Sequence, residues 1–278
     1  MQMQNDFISD LQPQLAADPN VRAAWLTGSF GRGVADRYSD IDLHLLLSDV
    51  DAFRAGARTW LEALRPIVLY KLLFDGQMIN ALTAAGLRID IWLHADPPTL
   101  NPAAVKVLFD RDGALLLVTT QEVAPDNAQV AANLLAQIEE FWRCIALTPT
   151  VIGRRELLVA FTGLNVELGL VADLLMTGYG RPRDRGVKVL NPFLGDDRRA
   201  ELEAALDLQG LNSASLVLAH AALAGVIRSH GPILAARHGF AYPQALEDAV
   251  LRYVAQELQT LDWGRTAIFG GADSSFAL

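Results

Sequence analysis

The apolar positions of the chain follow two different spacings. In the first half, short apolar runs with β-type alternation are separated by turn residues, a pattern that predicts strands. The predicted strands are Val21–Thr27, Ile41–Leu47, Ile67–Phe74, Met78–Thr83 and Leu87–Leu93. Between the third and fourth of them, Asp75–Gly76 predicts a hairpin, because these residues tolerate the positive φ values of a tight turn.

Helical spacing flanks the strands and takes over in the second half of the chain. A first helix is predicted to bury one face that carries Phe7, Ile8, Leu11 and Leu15. A second helix is predicted over Asp51–Leu64, with Asp51 near its start. The helices predicted in the second half are Val130–Leu147, Arg155–Met176, Arg198–Leu208, Ser213–Ser229 and Pro243–Leu261. The pattern predicts an α+β fold, with a mixed β-sheet flanked by helices over residues 1–120 and an all-helical domain over residues 121–278.

Composition narrows the classes of protein and partner. The net charge of −9 argues against a nucleic-acid partner, because proteins that grip a phosphate backbone present a basic face. The single cysteine, Cys144, excludes an internal disulfide and a cysteine-rich zinc site. Met1–Asp10 lacks a secretory pattern, and Leu211–Ile227 falls short of the roughly 20 apolar residues of a membrane span, so we predict a buried helix there. We therefore expect a cytoplasmic protein without a membrane partner.

A glycine-rich turn follows the first predicted strand. Gly28 and Gly33 delimit this turn, and glycine there allows backbone N–H groups to approach an anion closely. A helix starting at Ser29 would direct its positive dipole end towards that anion. Ser29 adds a hydroxyl donor, and Arg32 adds a charge suited to phosphate. On its own this turn is weak support for a phosphate site, because glycine-rich turns after strands are common.

Two acidic residues begin the second predicted strand. The period of two along a strand places Asp40 and Asp42 on one face and the intervening aliphatic residue on the other. Neighbouring carboxylates repel each other unless a cation neutralises them, and Mg²⁺ prefers such oxygen ligands. Taken alone, the pair is more typical of a solvated strand end than of a metal site.

A third acid occurs in a matching context. Asp90 lies between two isoleucines in an otherwise apolar strand, where a lone carboxylate needs a partner. Three carboxylates on neighbouring strands beside a phosphate-binding turn suit phosphoryl transfer assisted by two metal ions.

The combined motifs resemble a known superfamily. Gly28–Ser29, Arg32–Gly33, Ser39–Asp42 and Ile89–Ile91 are together similar to the signature of the DNA polymerase β-like nucleotidyltransferases. This resemblance covers roughly residues 21–93. The chain length and the helical second half are similar to bacterial antibiotic-resistance enzymes that nucleotidylate aminoglycosides or lincosamides.

The resemblance implies roles for individual residues. Asp40 and Asp42 would bind two Mg²⁺ ions, and Asp90 would complete the metal site or serve as the general base. Gly28, Ser29 and Arg32 would hold the nucleoside triphosphate, with ATP as the expected donor of AMP to a hydroxyl of a small molecule. In such families the helical half often supplies a cation to the triphosphate, and Arg185 and Lys188 are the candidates, although their segment is equally compatible with a surface loop. The active site is expected in a cleft between the two domains.

Neighbours of the three acids follow from strand periodicity. His44 shares a face with Asp42, and Trp92 and His94 share a face with Asp90, so these side chains are expected to flank the site. Trp92 is predicted either to stack on a base or sugar or to pack against the helical half. Three further acids of the helical half could meet a cationic substrate, although solvated helix faces account for most such residues: Glu156, Glu167 and Asp173.

Other functions remain open at this point. The segment from His94 to Asn101 imitates a kinase catalytic loop, but the interval from Lys71 to His94 is too short for a kinase. The same fold could serve as a non-catalytic nucleotide sensor or antitoxin-like module, and retention of three acids argues against that. The acceptor could also be a protein hydroxyl, and a homodimer is compatible with the sequence.

Overall fold

A computed structural model describes residues 1–119, 126–183 and 189–261. The chain forms two compact units, Met1–Val123 and Ala124–Leu278. The assignment of a catalytic domain that ends at residue 120 and a substrate domain that follows it stays a prediction.

The N-terminal unit combines strands and helices. Its strands are β1 (Val21–Leu26), β2 (Ile41–Leu47), β3 (Ile67–Leu73), β4 (Met78–Thr83), β5 (Arg88–His94), β6 (Thr99–Leu100), β7 (Lys106–Asp110) and β8 (Leu116–Leu117). Its helices are α1 (Gln2–Ala17), α2 (Gly28–Gly31), α3 (Val50–Leu64) and a 3₁₀ turn at Pro102–Ala104.

Six strands form one mixed sheet in the order β3-β4-β5-β2-β1-β7, which confirms the predicted fold class. The β2–β5 pair is parallel, and the other neighbours are antiparallel. The five strands predicted from the sequence are confirmed, with ends shifted by at most one residue. The edge strand β7 was missed. It joins β1 through a shifted register, and its five residues are too short for a clear alternation.

The two faces of this sheet differ in character. The aliphatic residues of one face pack against α1 and α3, and the core between them includes the predicted Phe7, Ile8, Leu11 and Leu15. The opposite face carries a smaller apolar cluster around Trp25 and Leu46, together with the polar residues of β2 and β5. The two-residue period of the strands therefore directs aliphatic side chains to the core on one face and places polar side chains on the other face.

The predicted hairpin joins β3 and β4. Asp75 and Gly76 have φ values of 53° and 79°, as a tight turn of this kind requires. Phe74 also has a positive φ of 51°, which the sequence did not indicate. Arg54 Nε donates to the Gly76 carbonyl oxygen at 3.0 Å and ties the turn to α3.

The second unit is helical in its described part. Its helices are α4 (Asn127–Ile145), α5 (Thr148–Gly153), α6 (Leu157–Gly178), α7 (Asn191–Leu194), α8 (Asp196–Ala205), α9 (Ser213–His238) and α10 (Gln244–Thr260). The five predicted helices are confirmed. However, α9 continues through Pro232 to a left-handed cap at Gly239, well beyond the predicted end at Ser229.

Two helices of this unit are apolar and long. By length and composition, α6 and α9 could each cross a membrane, but core helices of soluble proteins pass the same test, so this is weak support for a span. Half of the most apolar window of α9 and a third of that of α6 are buried, at 50% and 33%. Both helices contribute to the core of the unit.

One acid of the helical half is not available to a substrate. Glu167 is 1% exposed and forms a 2.6 Å hydrogen bond with His220 Nδ1, so its sequence-based interpretation as a substrate contact is wrong. Burial raises the pKa of Glu167, and the hydrogen bond to His220 opposes this rise. The sequence pattern did not reveal this because the partner His220 is 53 residues away.

The start of α3 provides a stability prediction. The Asp49 carboxylate accepts a hydrogen bond from the Ala52 N–H at 2.9 Å and caps the helix, two residues before the start predicted from the sequence. Asp49→Ala is expected to lower the free energy of unfolding by about 1 kcal/mol. Asp51→Ala removes a carboxylate whose side chain is 87% exposed and is expected to cost about 0.5 kcal/mol or less. Urea denaturation of both variants measures the difference, and equal losses would contradict the assignment of the cap.

Candidate active site

Three carboxylates meet on the polar face of the sheet. The parallel register of β2 and β5 places Asp42 opposite Asp90, and Asp40 directly precedes β2 on the same face. One carboxylate oxygen from each of the three lies within 4.8 Å of the others, and all three residues are half-buried. Like charges at this distance repel unless a cation lies among them, and an all-carboxylate donor set suits Mg²⁺. The residues therefore fit the metal site that the superfamily implies.

The glycine-rich turn packs directly against this cluster. The Thr27 N–H donates to the Asp42 carbonyl oxygen at 3.0 Å, and the chain then turns into the single helical turn α2. Gly28 has a φ of 60°, and a Cβ atom built on it would lie 1.9 Å from Asp42 Oδ2. Glycine at position 28 is thus required by the Asp42 carboxylate itself.

Two polar atoms in this turn are buried without a hydrogen-bond partner among the described residues. They are the Ser29 hydroxyl oxygen and Arg32 Nε. Buried donors without a partner are costly, so this pair is consistent with a ligand that supplies acceptor oxygens. Both residues were singled out from the sequence as triphosphate contacts. The helix α2 begins at Gly28 rather than at Ser29.

Sequence reasoning missed one residue of the site, Asn80 on β4. It lies opposite Asp90 in the antiparallel register, and its Nδ2 donates to Asp90 Oδ1 at 2.6 Å. The hairpin and the period of two together could have indicated it, since both place Asn80 on the face of the acids. On the outer strand Lys71 lies opposite Asn80, so a row of polar side chains crosses the sheet.

His44 connects the turn to the neighbouring strand. Its Nε2 is 3.0 Å from the Thr27 hydroxyl, and its Nδ1 is 2.9 Å from His94 Nε2. Burial, with a smaller contribution from the charge of His94, lowers the pKa of His44 to about 4. Burial also lowers the pKa of His94. Both rings are therefore neutral near pH 7, and His44 holds Thr27 by hydrogen bonding rather than by charge.

Aromatic rings extend from His44 across the sheet. Trp92 is half-buried, and its ring stacks on His44 at 6.1 Å and on Phe74 at 5.3 Å between centroids. Trp25 stacks on His44 and His94 at the buried end. His44, Trp92 and His94 thus flank the acids, as the strand periodicity predicted.

Two predicted site residues, Arg185 and Lys188, lie outside the described residues. Their proposed contact with the triphosphate stays a prediction.

The chain was compared with curated proteins, solved structures and family sequence models. None of the curated proteins matches the chain at a significant level. Among solved structures, an aminoglycoside 6-adenyltransferase from Bacillus subtilis matches with 16% sequence identity and a TM-score of 0.42, over 91% of this chain and 96% of that one. The sequence model of the streptomycin adenylyltransferase family matches residues 1–257 of the 278.

The family match confirms the resemblance to nucleotidyltransferases that the motifs carry. It covers nearly the whole chain, including the helical unit, for which the sequence offered no specific motif. The chain is therefore a nucleotidyltransferase that belongs to the streptomycin adenylyltransferase family.

Proposed function

We propose that the protein transfers AMP from ATP to a hydroxyl group of an aminoglycoside such as streptomycin, with Mg²⁺ as cofactor and pyrophosphate as the second product. The observation that carries this proposal is the cluster of Asp40, Asp42 and Asp90 beside the Gly28–Ser29 turn. The family supports an antibiotic as acceptor. The net charge of −9 favours a cationic small molecule over a nucleic acid.

Asp40, Asp42 and Asp90 would hold the metal ions. Two bound Mg²⁺ ions would neutralise charge on the triphosphate and lower the pKa of the acceptor hydroxyl. Ser29 and Arg32 would donate hydrogen bonds to phosphate oxygens, which would satisfy their buried polar atoms. Arg185 and Lys188 are proposed as further cations for the triphosphate.

The transfer breaks one phosphorus–oxygen bond and forms another. The acceptor oxygen attacks the α-phosphorus, and the bond from that phosphorus to its bridging oxygen breaks, so that pyrophosphate leaves with the electron pair. Asp90 accepts the hydroxyl proton. Its Oδ1 is held by Asn80, which fixes the orientation of the carboxylate. The protein contributes positioning and electrostatic stabilisation, the dominant factors in phosphoryl transfer.

The described site residues all belong to the N-terminal unit. Dependence on ATP supports a cytoplasmic location. A homodimer is not required by this chemistry.

The direct test is pyrophosphate release by the purified protein with Mg²⁺, each nucleoside triphosphate in turn, and streptomycin, other aminoglycosides or a lincosamide. Release that depends on ATP and streptomycin is expected, and Asp42→Asn is expected to abolish it because a metal ligand is lost. Circular dichroism checks that the variant remains folded. Release that requires a lincosamide or a protein acceptor would refute the proposed acceptor, and wild-type rates in Asp42→Asn would refute the metal assignment.

The contact between Gly28 and Asp42 gives a second prediction. Gly28→Ala is expected to displace the Asp42 carboxylate and lower kcat by about 10²-fold, as small misplacements in active sites do. Gly113→Ala is the matched control, because Gly113 lies outside the site and also has a positive φ, of 61°, but has nothing within 4 Å of the added Cβ. The control is expected to lose about 1 kcal/mol of stability while keeping its rate. Equal rates for the two variants would contradict the assigned role of Gly28.

The hydrogen bond from Asn80 gives a third prediction. Asn80→Ala is expected to lower kcat about tenfold, since a hydrogen bond to a charged group is lost. Asn80→Asp should lower kcat further at neutral pH, because it places another carboxylate opposite Asp90. Steady-state kinetics decide the matter, and an unchanged kcat in both variants would show that Asn80 does not position Asp90.

A further inference from the structure

An exposed phenylalanine occupies a strained position near the acids. Phe74 is 62% exposed and has a φ of 51°, in the left-handed region where a bulky side chain is rarely found. Burial does not compensate for this conformation, because most of the ring faces solvent. Exposed aromatic residues in strained turns are typical of binding sites.

The ring of Phe74 is fixed in place by its neighbours. It stacks on Trp92 with an interplanar angle of 19°, and Trp92 stacks on His44 at 11°. His44 is in turn tied to Thr27 and His94 through both ring nitrogens. A stack anchored in this way offers a pre-organised surface, which we name the Phe74–Trp92 ledge.

The ledge lies on a defined side of the acidic cluster. Across the sheet, the order β1-β2-β5-β4-β3 places the Gly28–Ser29 turn at one end and the β3–β4 hairpin with Phe74 at the other. Asp42 and Asp90 lie between them. Trp92 follows Asp90 by two residues on the same face, a separation of about 7 Å along the strand. The triphosphate is proposed at the β1 end, so the ledge lies on the side left for the acceptor.

One cationic and one anionic side chain lie near the ledge. Lys71 is exposed on the same face of β3, and Asp75 is exposed beside Phe74 in the turn. Neither a cation nor an anion is therefore strongly favoured directly on the rings. The C–H face of a saturated ring, as in a sugar or cyclitol, packs well on such an aromatic surface.

We infer that the Phe74–Trp92 ledge is an acceptor subsite that packs against the face of a sugar or cyclitol ring and so contributes to acceptor specificity. This inference rests on the proposed function. Phe74 and Trp92 are binding residues in it, whereas His44 is a positioning residue behind them.

The test removes the ring without disturbing the turn. Phe74→Asn is suitable, because asparagine tolerates the left-handed conformation. The variant is expected to raise the KM for streptomycin about tenfold, the change expected when one aromatic stacking contact is lost. The kcat and the KM for ATP are expected to stay near their wild-type values. Phe74→Tyr keeps an aromatic ring and should therefore retain the wild-type KM for streptomycin. Leu72→Ala is the matched control, since Leu72 is 47% exposed on the opposite face of the same strand.

The outcomes separate this inference from the proposed function. If the wild-type enzyme adenylylates streptomycin and Phe74→Asn leaves its KM unchanged, the ledge inference is overturned and the proposed function stands. A selective rise in the KM for ATP also overturns it, because the ledge would then serve the nucleotide. If the wild-type enzyme fails to adenylylate streptomycin, the proposed acceptor is refuted. Calorimetric titration of streptomycin then tests the ledge inference independently of turnover. Equal affinities of the wild type and Phe74→Asn, or no binding to either protein, would overturn the inference.

Discussion

The parallel pairing of β2 with β5 places Asp42 opposite Asp90, and the rest of the site is arranged around this contact. A slip of one residue in either strand would turn its acid towards the apolar core, so the buried aliphatic face of the two strands fixes the register. The same register brings His44 opposite Trp92 and thereby builds the aromatic stack. Core packing on one face of the sheet therefore determines the chemistry on the other.

The conformation of the glycine-rich turn depends on this pairing. Its first glycine is required because Asp42 Oδ2 occupies the space of a side chain, and Thr27 is joined to both Asp42 and His44. The turn, the acids and the histidine pair thus form one hydrogen-bonded and close-packed group. The motif spread over residues 28–42 therefore forms one structural unit with His44 and Asp90.

Most strands and helices could be predicted because their apolar spacing reports directly on burial. The three acids could be predicted because period-two alternation shows which side chains share a face. Phe74 and the burial of Glu167 could not, since they depend on a backbone angle and on a distant partner. Asn80 was overlooked, although the hairpin and the period of two together place it on the face of the acids. The edge strand β7 escaped because a short strand in a shifted register leaves little periodicity. The proposed acceptor class rests on family membership, since the helical half carries no motif for it.

We propose that Asp40, Asp42 and Asp90 hold divalent metal ions with the nucleotide. Electron paramagnetic resonance of Mn²⁺, titrated into the protein with a non-hydrolysable ATP analogue, tests it directly. We expect two bound and mutually coupled Mn²⁺ ions per chain, and we expect Asp40→Asn to weaken their binding. Absence of bound Mn²⁺, or binding that is unchanged in Asp40→Asn, would contradict it.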